Sequence, residues 1–474
     1  MKVIIVGAGK VGTALAMQLS RTHNDVSIIE SNEERARHIS NRLDCMVLHD
    51  EGNSIEALHR AMIKKSDALV CVTGNDEINI IICALAAGLN PRLIKIACVR
   101  NEEYVQYIAN AKDGAFGVDF FVHPNIEASR TALNAIEHDA AGNVLAFAGT
   151  RYELSAIEVA GGSAFDGLLL KNYRNLVQGE TLVALVERQN ECILPSGTTV
   201  LAAGDRVHIL AAGDELELLF ELGGRKEGVI RKIGVAGGGQ IGSLIVEGLL
   251  THEKDNRTSK LDSFFSFFKG FILKRNRKVM LIERDYSICK ELSARFPEAI
   301  VLNEDISDES FVFEERLNGL DLIVTATGNQ ELNIIAALYL KQNGVRRALA
   351  MVASDGYAAI ARRLGIDVVI PIKSVIVDSI LSKLSGARSI HRLGDGSIAV
   401  LELEVKENAP VANIPITEFK FENNALVMLA SRAGESFIPR GNYVFKPGDH
   451  VIISARHSIE KEIEKRFAIE LPDD

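Results

Sequence analysis

Positive charge is in short supply in this chain: 53 Lys and Arg stand against 63 Asp and Glu, for a net charge of -10. General nucleic-acid binding rests on a basic surface, so nucleic acid is excluded as a partner. Long apolar runs are missing too. Hydrophobic residues make up 47% of the chain, yet no stretch approaches the roughly 20 residues a bilayer span needs. The opening MKVIIVGAGKVG breaks into glycines too soon for a signal peptide. The six cysteines (Cys45, Cys71, Cys83, Cys98, Cys192, Cys289) lack paired or metal-like spacing. They read as buried free thiols in a reducing compartment, and no Cys/His/Asp cluster suggests a metal. The expected location is the cytoplasm, with any membrane role arising through a partner.

What is present is a duplication. Residues 3–12 read VIIVGAGKVG and residues 233–242 read IGVAGGGQIG. VTGNDEINII (72–81) returns as ATGNQELNII (326–335), and GVDFFVHPNIEASR (117–130) as GIDVVIPIKSVIVD (365–378). ILPSGTTVLAAGDRVHIL (193–210) returns as FIPRGNYVFKPGDHVIIS (437–454). The order is kept over nearly the whole chain, which marks an internal repeat.

Each copy has two parts. In the first, short apolar runs (VIIVG, VSIIE, ALVCVT, LIKIACV) alternate with helical stretches (VGTALAMQLSRT, NEERARHISNRL, EINIIICALAAGL). That alternation predicts a doubly wound parallel sheet. In the second, YELSAIEVA, TLVALVER and DRVHILAA are strand-like runs bounded by Gly, Pro and Asp, as in a small α+β module. The fold class is therefore α/β: two tandem Rossmann-like domains, each followed by a small α+β domain. The expected boundaries are 1–123, 143–226, 230–373 and 388–472.

Gly7, Gly9 and Gly12 form GxGxxG between a strand and a helix. In a dinucleotide fold these glycines permit the tight turn, the approach of backbone to a pyrophosphate, and helix–strand packing. The helix N-terminus then offers free N–H groups to the phosphates. Glu30 ends the next strand, 18 residues after Gly12. A carboxylate there accepts ribose hydroxyls and repels a 2′-phosphate, favouring NAD(H), ADP or ATP over NADP(H). Thr73 and Gly74 follow the fourth strand and fall at the same sheet edge, where both are placed to contact ribose or base, Gly74 alternatively only shaping the loop. Arg100 ends the fifth strand and suits a phosphate, or else forms a surface ion pair. Asp50 either caps a helix or faces the ligand.

The second copy repeats this with Gly237, Gly239 and Gly242, then Glu283, Thr327 and Gly328. It departs at two points: Gln240 replaces Lys10, and Ala353 or a neighbour replaces Arg100. Two charges worth about 1 kcal/mol each are lost, so the first site is expected to bind a charged nucleotide more tightly.

The pattern VIIVGAGKVG…IIE…TGNDEINI…ACVRN, followed by ILPSG and GDRVHIL, resembles the regulator-of-potassium-conductance (RCK) family over essentially the whole chain. Two units in one chain are similar to the NAD-binding peripheral subunits of Trk-type potassium uptake systems. The resemblance implies a cytosolic, ring-like homo-oligomer docked beneath a potassium-translocating membrane subunit and regulated by NAD+/NADH or by ATP and ADP. Carried over by position, the ligand contacts are Gly7, Ala8, Gly9, Lys10, Val11, Glu30, Thr73, Gly74 and Arg100. In the second unit they are Gly237, Gly238, Gly239, Gln240, Ile241, Glu283, Thr327 and Gly328. The resemblance implies no catalysis.

One segment departs from the family. Glu283 lies 41 residues after Gly242, and the excess sits in the aromatic, basic stretch 251–278. Its place between the first helix and second strand puts it at the amino edge of the sheet, away from the nucleotide. It fits a membrane surface or partner contact, or packing of its phenylalanines on its own domain or on a neighbour in the ring. The rival function is an NAD-dependent dehydrogenase, for which His123 is the best proton-transfer candidate. The second copy has Pro371 there, and a structural histidine is the plainer reading. A third reading keeps regulation and changes the partner to another cation channel or an antiporter.

Overall fold

The computed structural model describes residues 1–21, 24–101, 103–104, 115–137, 144–147, 150–189, 191–212, 215–224, 230–250, 277–308, 311–384, 390–393, 397–419 and 424–467. Most of the 251–278 segment therefore lies outside the described residues. The chain divides into two compact units, Met1–Ala140 with Ile230–Leu384, and Ala141–Val229 with Ser385–Asp474. Like parts of the two copies are thus grouped together.

The first unit holds both Rossmann domains. The first runs β1 (Lys2–Val6), α1 (Lys10–Arg21), β2 (Asp25–Glu30), α2 (Glu33–Ser40), β3 (Met46–His49), α3 (Ile55–Arg60), β4 (Ala68–Cys71), α4 (Asp76–Leu89), β5 (Ile94–Cys98), β6 (Phe120–Val122) and α5 (Pro124–Glu137). Its strands lie in the order β3-β2-β1-β4-β5-β6, all parallel. The chain reverses direction across the sheet between β1 and β4, which opens a crevice at their carboxyl ends. Val3 to Val6 and Ala68 to Cys71 are buried, as central strands covered by helices on both faces require. The helices start where the sequence supplies caps: Asn32 Oδ1 accepts the Arg35 amide at 2.9 Å and Asn75 Oδ1 the Ile78 amide at 2.8 Å.

The small domain of the first copy comprises β7 (Val144–Ala146), β8 (Tyr152–Glu158), α6 (Tyr173–Leu176), β9 (Leu182–Arg188), β10 (Glu191–Ile193), β11 (Arg206–Ala212) and α7 (Leu216–Leu222). The second Rossmann domain follows with β12 (Lys232–Ala236), α8 (Gln240–Leu250), β13 (Lys278–Glu283), α9 (Tyr286–Arg295), β14 (Ile300–Asn303), α10 (Phe311–Glu314), β15 (Leu322–Thr325), α11 (Gln330–Gln342), β16 (Arg347–Val352), α12 (Asp355–Arg363), β17 (Val368–Pro371) and α13 (Ile372–Leu384). Its sheet repeats the first: β14-β13-β12-β15-β16-β17.

The two Rossmann domains exchange their last helices. In α5, the buried Ile126, Leu133 and Ile136 share a cluster with Val235, Leu244, Ile245 and Leu281 of the second domain. In α13, Ile376, Val377 and Ile380 share a cluster with Val3, Ile5, Leu15 and Ile28 of the first. Each domain therefore finishes one face of its partner's sheet. Each fully buried aliphatic side chain contributes about 1.5–3 kcal/mol, so the pairing is an extension of both cores. Gly248 shows how closely α5 and α8 approach: a Cβ there would lie 2.3 Å from Leu133 Cδ1.

The second unit holds both small domains. The second comprises β18 (Ile390–Leu393), β19 (Ile398–Glu404), β20 (Ala425–Arg432), β21 (Glu435–Phe437), β22 (His450–Arg456) and α14 (Glu460–Phe467). The two five-stranded sheets, β10-β9-β11-β8-β7 and β18-β19-β22-β20-β21, are antiparallel. Leu154, Ala184 and Leu210 of one pack against Val400, Met428 and Ile452 of the other. Each domain has a buried Asp gripped through two oxygens by an Arg, Arg188–Asp205 at 2.7 and 2.6 Å and Arg432–Asp449 at 2.7 and 2.7 Å.

Candidate nucleotide site

The glycine turn between β1 and α1 is dictated by close approach. Gly7 has φ of +99°, and a Cβ there would sit 3.0 Å from Val72 O and Thr73 N. Only glycine adopts that conformation at no steric cost. A Cβ on Gly12 would lie 1.9 Å from Gly7 O, so the third glycine lets the helix seat on its own turn. Gly9 is different, because a Cβ there would meet nothing within 4 Å. The space in front of Gly9 belongs to no protein atom, as the backbone approach of a ligand requires. Thr13 N donates to Gly9 O at 3.0 Å, making the first main-chain bond of the helix. The amides of the preceding residues thus form its electropositive end.

Glu30 lies behind this turn, 5% exposed. Its Oε2 accepts the Ala8 amide at 2.6 Å and its Oε1 the Asn32 amide at 2.9 Å. Arg35 stands 3.7 Å away. A carboxylate has about four acceptor positions, so Glu30 can brace the loop and still accept ribose hydroxyls. Asp50 pairs with Arg60 at 2.9 Å and accepts the Glu51 amide at 2.9 Å.

Across the crevice, the Thr73 amide and hydroxyl both donate to Asn79 Oδ1, at 3.0 and 2.7 Å. Asn79 is fully buried and donates through Nδ2 to Cys98 O at 2.8 Å, tying the β4 loop to the end of β5. Thr73 is thereby fixed as a loop-shaping residue, its amide, carbonyl and hydroxyl all bonded to Asn79. Gly74 has open space around it. Arg100 is exposed; its amide donates to Asp76 Oδ2 at 2.7 Å and its Nη1 to Gly74 O at 3.4 Å. Lys10 is the exposed first residue of α1, and Val11 packs into the core beside it.

The second site repeats these positions nearly atom for atom. Gly237 has φ of +106°, a Cβ on Gly242 would lie 1.9 Å from Gly237 O, and Gly239 again meets nothing. Glu283 accepts the Gly238 amide at 2.7 Å and the Asp285 amide at 2.9 Å. The Thr327 amide and hydroxyl donate to Asn333 Oδ1 at 2.9 and 2.6 Å, and Gly328 is open. Ile241 packs inward like Val11. The differences lie at the start of α8 and at the end of β16. Ala353 stands in Arg100's place, its amide donating to Gln330 Oε1 at 3.0 Å, and Gln240 Oε1 accepts from Asn125 Nδ2 at 2.5 Å.

Asn79 and Asn333 are the site residues that the sequence reading passed over. The signal was available, since NDEIN and NQELN keep the asparagine in both copies. His123, the dehydrogenase candidate, is buried, and its Nδ1 accepts the Ile126 amide at 3.2 Å, so it caps α5. Among the described residues no His/Cys/Asp/Glu group could hold a metal, and no helix is long and apolar enough to cross a membrane. Burial pushes the Cys98 thiol up to about 11, and Cys71 and Cys83 touch inside the core at 3.7 Å.

Comparison with known proteins agrees with this architecture. The TrkA-N domain matches residues 3–124 and 271–372, and the TrkA-C domain residues 154–223 and 400–468. The second TrkA-N match begins downstream of Gly237–Gly242, on the far side of most of the extra segment. The chain is 28% identical to Trk system potassium uptake protein TrkA homolog 1 of Methanosarcina mazei, over 98% of this chain and 100% of that one. It is 27% identical to Trk system potassium uptake protein TrkA of Vibrio alginolyticus, over 96% of this chain and 95% of that one. Among solved structures, the GsuK RCK domain shares the fold, with a TM-score of 0.58 at 14% identity, covering 98% of this chain and 94% of that chain. A GsuK channel bound to NAD gives a TM-score of 0.58 at 15% identity, covering 98% of this chain and 78% of that chain. With both domain types matched twice in the same order and relatives of one kind aligned end to end, the chain belongs to the TrkA family of tandem TrkA-N and TrkA-C proteins.

Proposed function

We propose that this chain is a cytosolic regulatory subunit of a Trk-type potassium uptake system, binding NAD(H), ADP or ATP in its glycine-turn crevices and gating a membrane pore subunit. The observation that carries the reading is the open face of Gly9 and Gly239, each beside a carboxylate at the end of the second strand. The names of the relatives supply the potassium system, and a GsuK channel of the same fold was solved with NAD. The residues that would hold the nucleotide are the turn amides from Gly9 onward, the Ala8 amide being kept by Glu30, together with the Glu30 carboxylate, Gly74 beside the fixed Thr73, and Arg100. In the second site they are the turn after Gly237, Glu283 and Thr327–Gly328.

The exchange of α5 and α13 offers a physical route to gating. A nucleotide at one turn touches a helix, α1 or α8, that packs on the other domain's last helix. Its differential affinity for two arrangements of the pair shifts their populations. One site supplies roughly 1–3 kcal/mol of coupling, whereas a full switch needs about 5.5 kcal/mol. Several sites summed around a homo-oligomeric ring reach it. Calorimetric titration of the full chain with NADH, NAD+, ADP and ATP tests the reading. Saturable binding without hydride transfer is expected; failure to bind any of the four, or turnover, would overturn it.

A further inference from the structure

The second turn is completed by a residue of the other domain. In the second site, Asn125, the second residue of α5, donates from Nδ2 to Oε1 of Gln240, the first residue of α8, at 2.5 Å. The positions equivalent by duplication are Lys373, the second residue of α13, and Lys10, the first residue of α1. The preceding Ile372 packs into the cluster that holds Val11 and Ala14 of α1, so α13 begins beside the first turn as α5 begins beside the second. Where the second turn has two amides, the equivalent positions of the first carry two ammonium groups.

The chemical consequence differs between the sites. Two amides satisfy each other, donor to acceptor, and the second turn is closed by a neutral hydrogen bond. Two ammonium groups carry only donors and repel. Lys373 is held by Asp355 at 3.3 Å, and Asp355 also accepts from Ser374 Oγ at 2.5 Å. Lys10 is exposed. A diphosphate laid against the turn offers anionic oxygens to each ammonium group, whereas a single phosphate, although it too carries about two charges at neutral pH, reaches only one.

We propose that Lys373, from the second Rossmann domain, is a phosphate-binding residue of the first domain's nucleotide site. It makes that site selective for nucleotides carrying a diphosphate or longer group, while the second site, with Asn125 and Gln240, does not discriminate by phosphate number. This rests on the nucleotide-binding reading above. The selectivity belongs to the pair of domains, and ligand charge at the first turn is felt by α13 and hence by the second domain.

The test uses the full-length chain, titrated by calorimetry with ADP, NADH and AMP at low and moderate salt. Lys373→Gln should weaken ADP and NADH at the first site by about tenfold, the scale of one charge-assisted hydrogen bond. It should change AMP by less than about threefold and flatten the salt dependence of ADP binding. Lys373→Arg should keep the preference for ADP over AMP. The converse change, Asn125→Lys with Gln240→Lys, should create that preference at the second site. If Lys373→Gln leaves ADP binding unchanged, or lowers ADP and AMP alike, Lys373 is no phosphate ligand; thermal unfolding of the nucleotide-free variant separates the second result from general destabilisation. If the wild-type chain binds none of the three, the nucleotide reading itself falls along with this one.

Discussion

Glu30 holds the glycine turn from behind: its Oε2 accepts the Ala8 amide at 2.6 Å. The carboxylate proposed to meet a ribose is thus also a structural brace for the glycine turn, and Glu283 does the same for Gly238 at 2.7 Å. Replacing Glu30 with Ala should therefore have two effects. Nucleotide affinity at the first site should fall by tenfold or more, and the domain should lose about 1–3 kcal/mol from the buried Ala8 amide left without a partner. Calorimetry and urea unfolding measure the two separately. An unchanged unfolding midpoint would show that the brace contributes nothing.

Gly9 and Gly12 should respond in opposite ways to the same change. Gly9→Val places a side chain in space no protein atom occupies, so the fold should survive while nucleotide binding at the first site is lost. Gly12→Val drives a side chain into Gly7 O, 1.9 Å from where its Cβ would be, and should prevent the turn from forming. Circular dichroism melts with a nucleotide titration distinguish them. Retained binding in Gly9→Val would place the ligand elsewhere.

The helix exchange predicts that the two Rossmann domains unfold as one. Leu133 is fully buried against the second domain, so Leu133→Ala should cost about 2–5 kcal/mol. Gly248→Ala meets Leu133 Cδ1 at 2.3 Å and should cost about 1–3 kcal/mol through overpacking. Hydrogen exchange should show protection falling in β12 and β13 when the altered residue is Leu133 of the first copy. Loss confined to α5 would mean that the domains are independent.

In the small domains, burial alone would raise the Asp205 carboxyl. Hydrogen bonds from Arg188 and the Ala202 amide outweigh it and hold the group below the usual carboxylate range. Asp449 behaves alike, with Arg432, Tyr443 and the Lys446 amide as donors. A depressed folded value means the stabilisation is complete above the unfolded value near pH 4 and is lost as pH falls through the folded one. Asp449→Asn should destabilise by about 1–3 kcal/mol at neutral pH and remove part of the acid sensitivity below about pH 4. A parallel pH–stability curve in the variant would refute the assignment.

Much of this molecule was legible in order along the chain. The glycine turns, the strand-end carboxylates and the four-part duplication are local patterns, since close-packed backbone and short polar caps need particular residues at particular spacings. Asn79 and Asn333 were equally local and are repeated in both copies, but what they bond, the threonine after the fourth strand and a carbonyl of the fifth, shows only in the fold. The Arg188–Asp205 clamp joins two strands whose pairing the sequence does not state.

By itself, then, the sequence determined what repeats: two parallel sheets, two small α+β modules and two glycine turns, each specified by periodicity and by steric demands within a few residues. Only the tertiary structure decided that like parts pair with like, that α5 and α13 change places, and that Asn125 meets Gln240. Those contacts join residues more than a hundred positions apart through the faces of helices whose patterns say only that they are apolar. An apolar stripe demands burial but does not name its partner, because the hydrophobic effect has no direction.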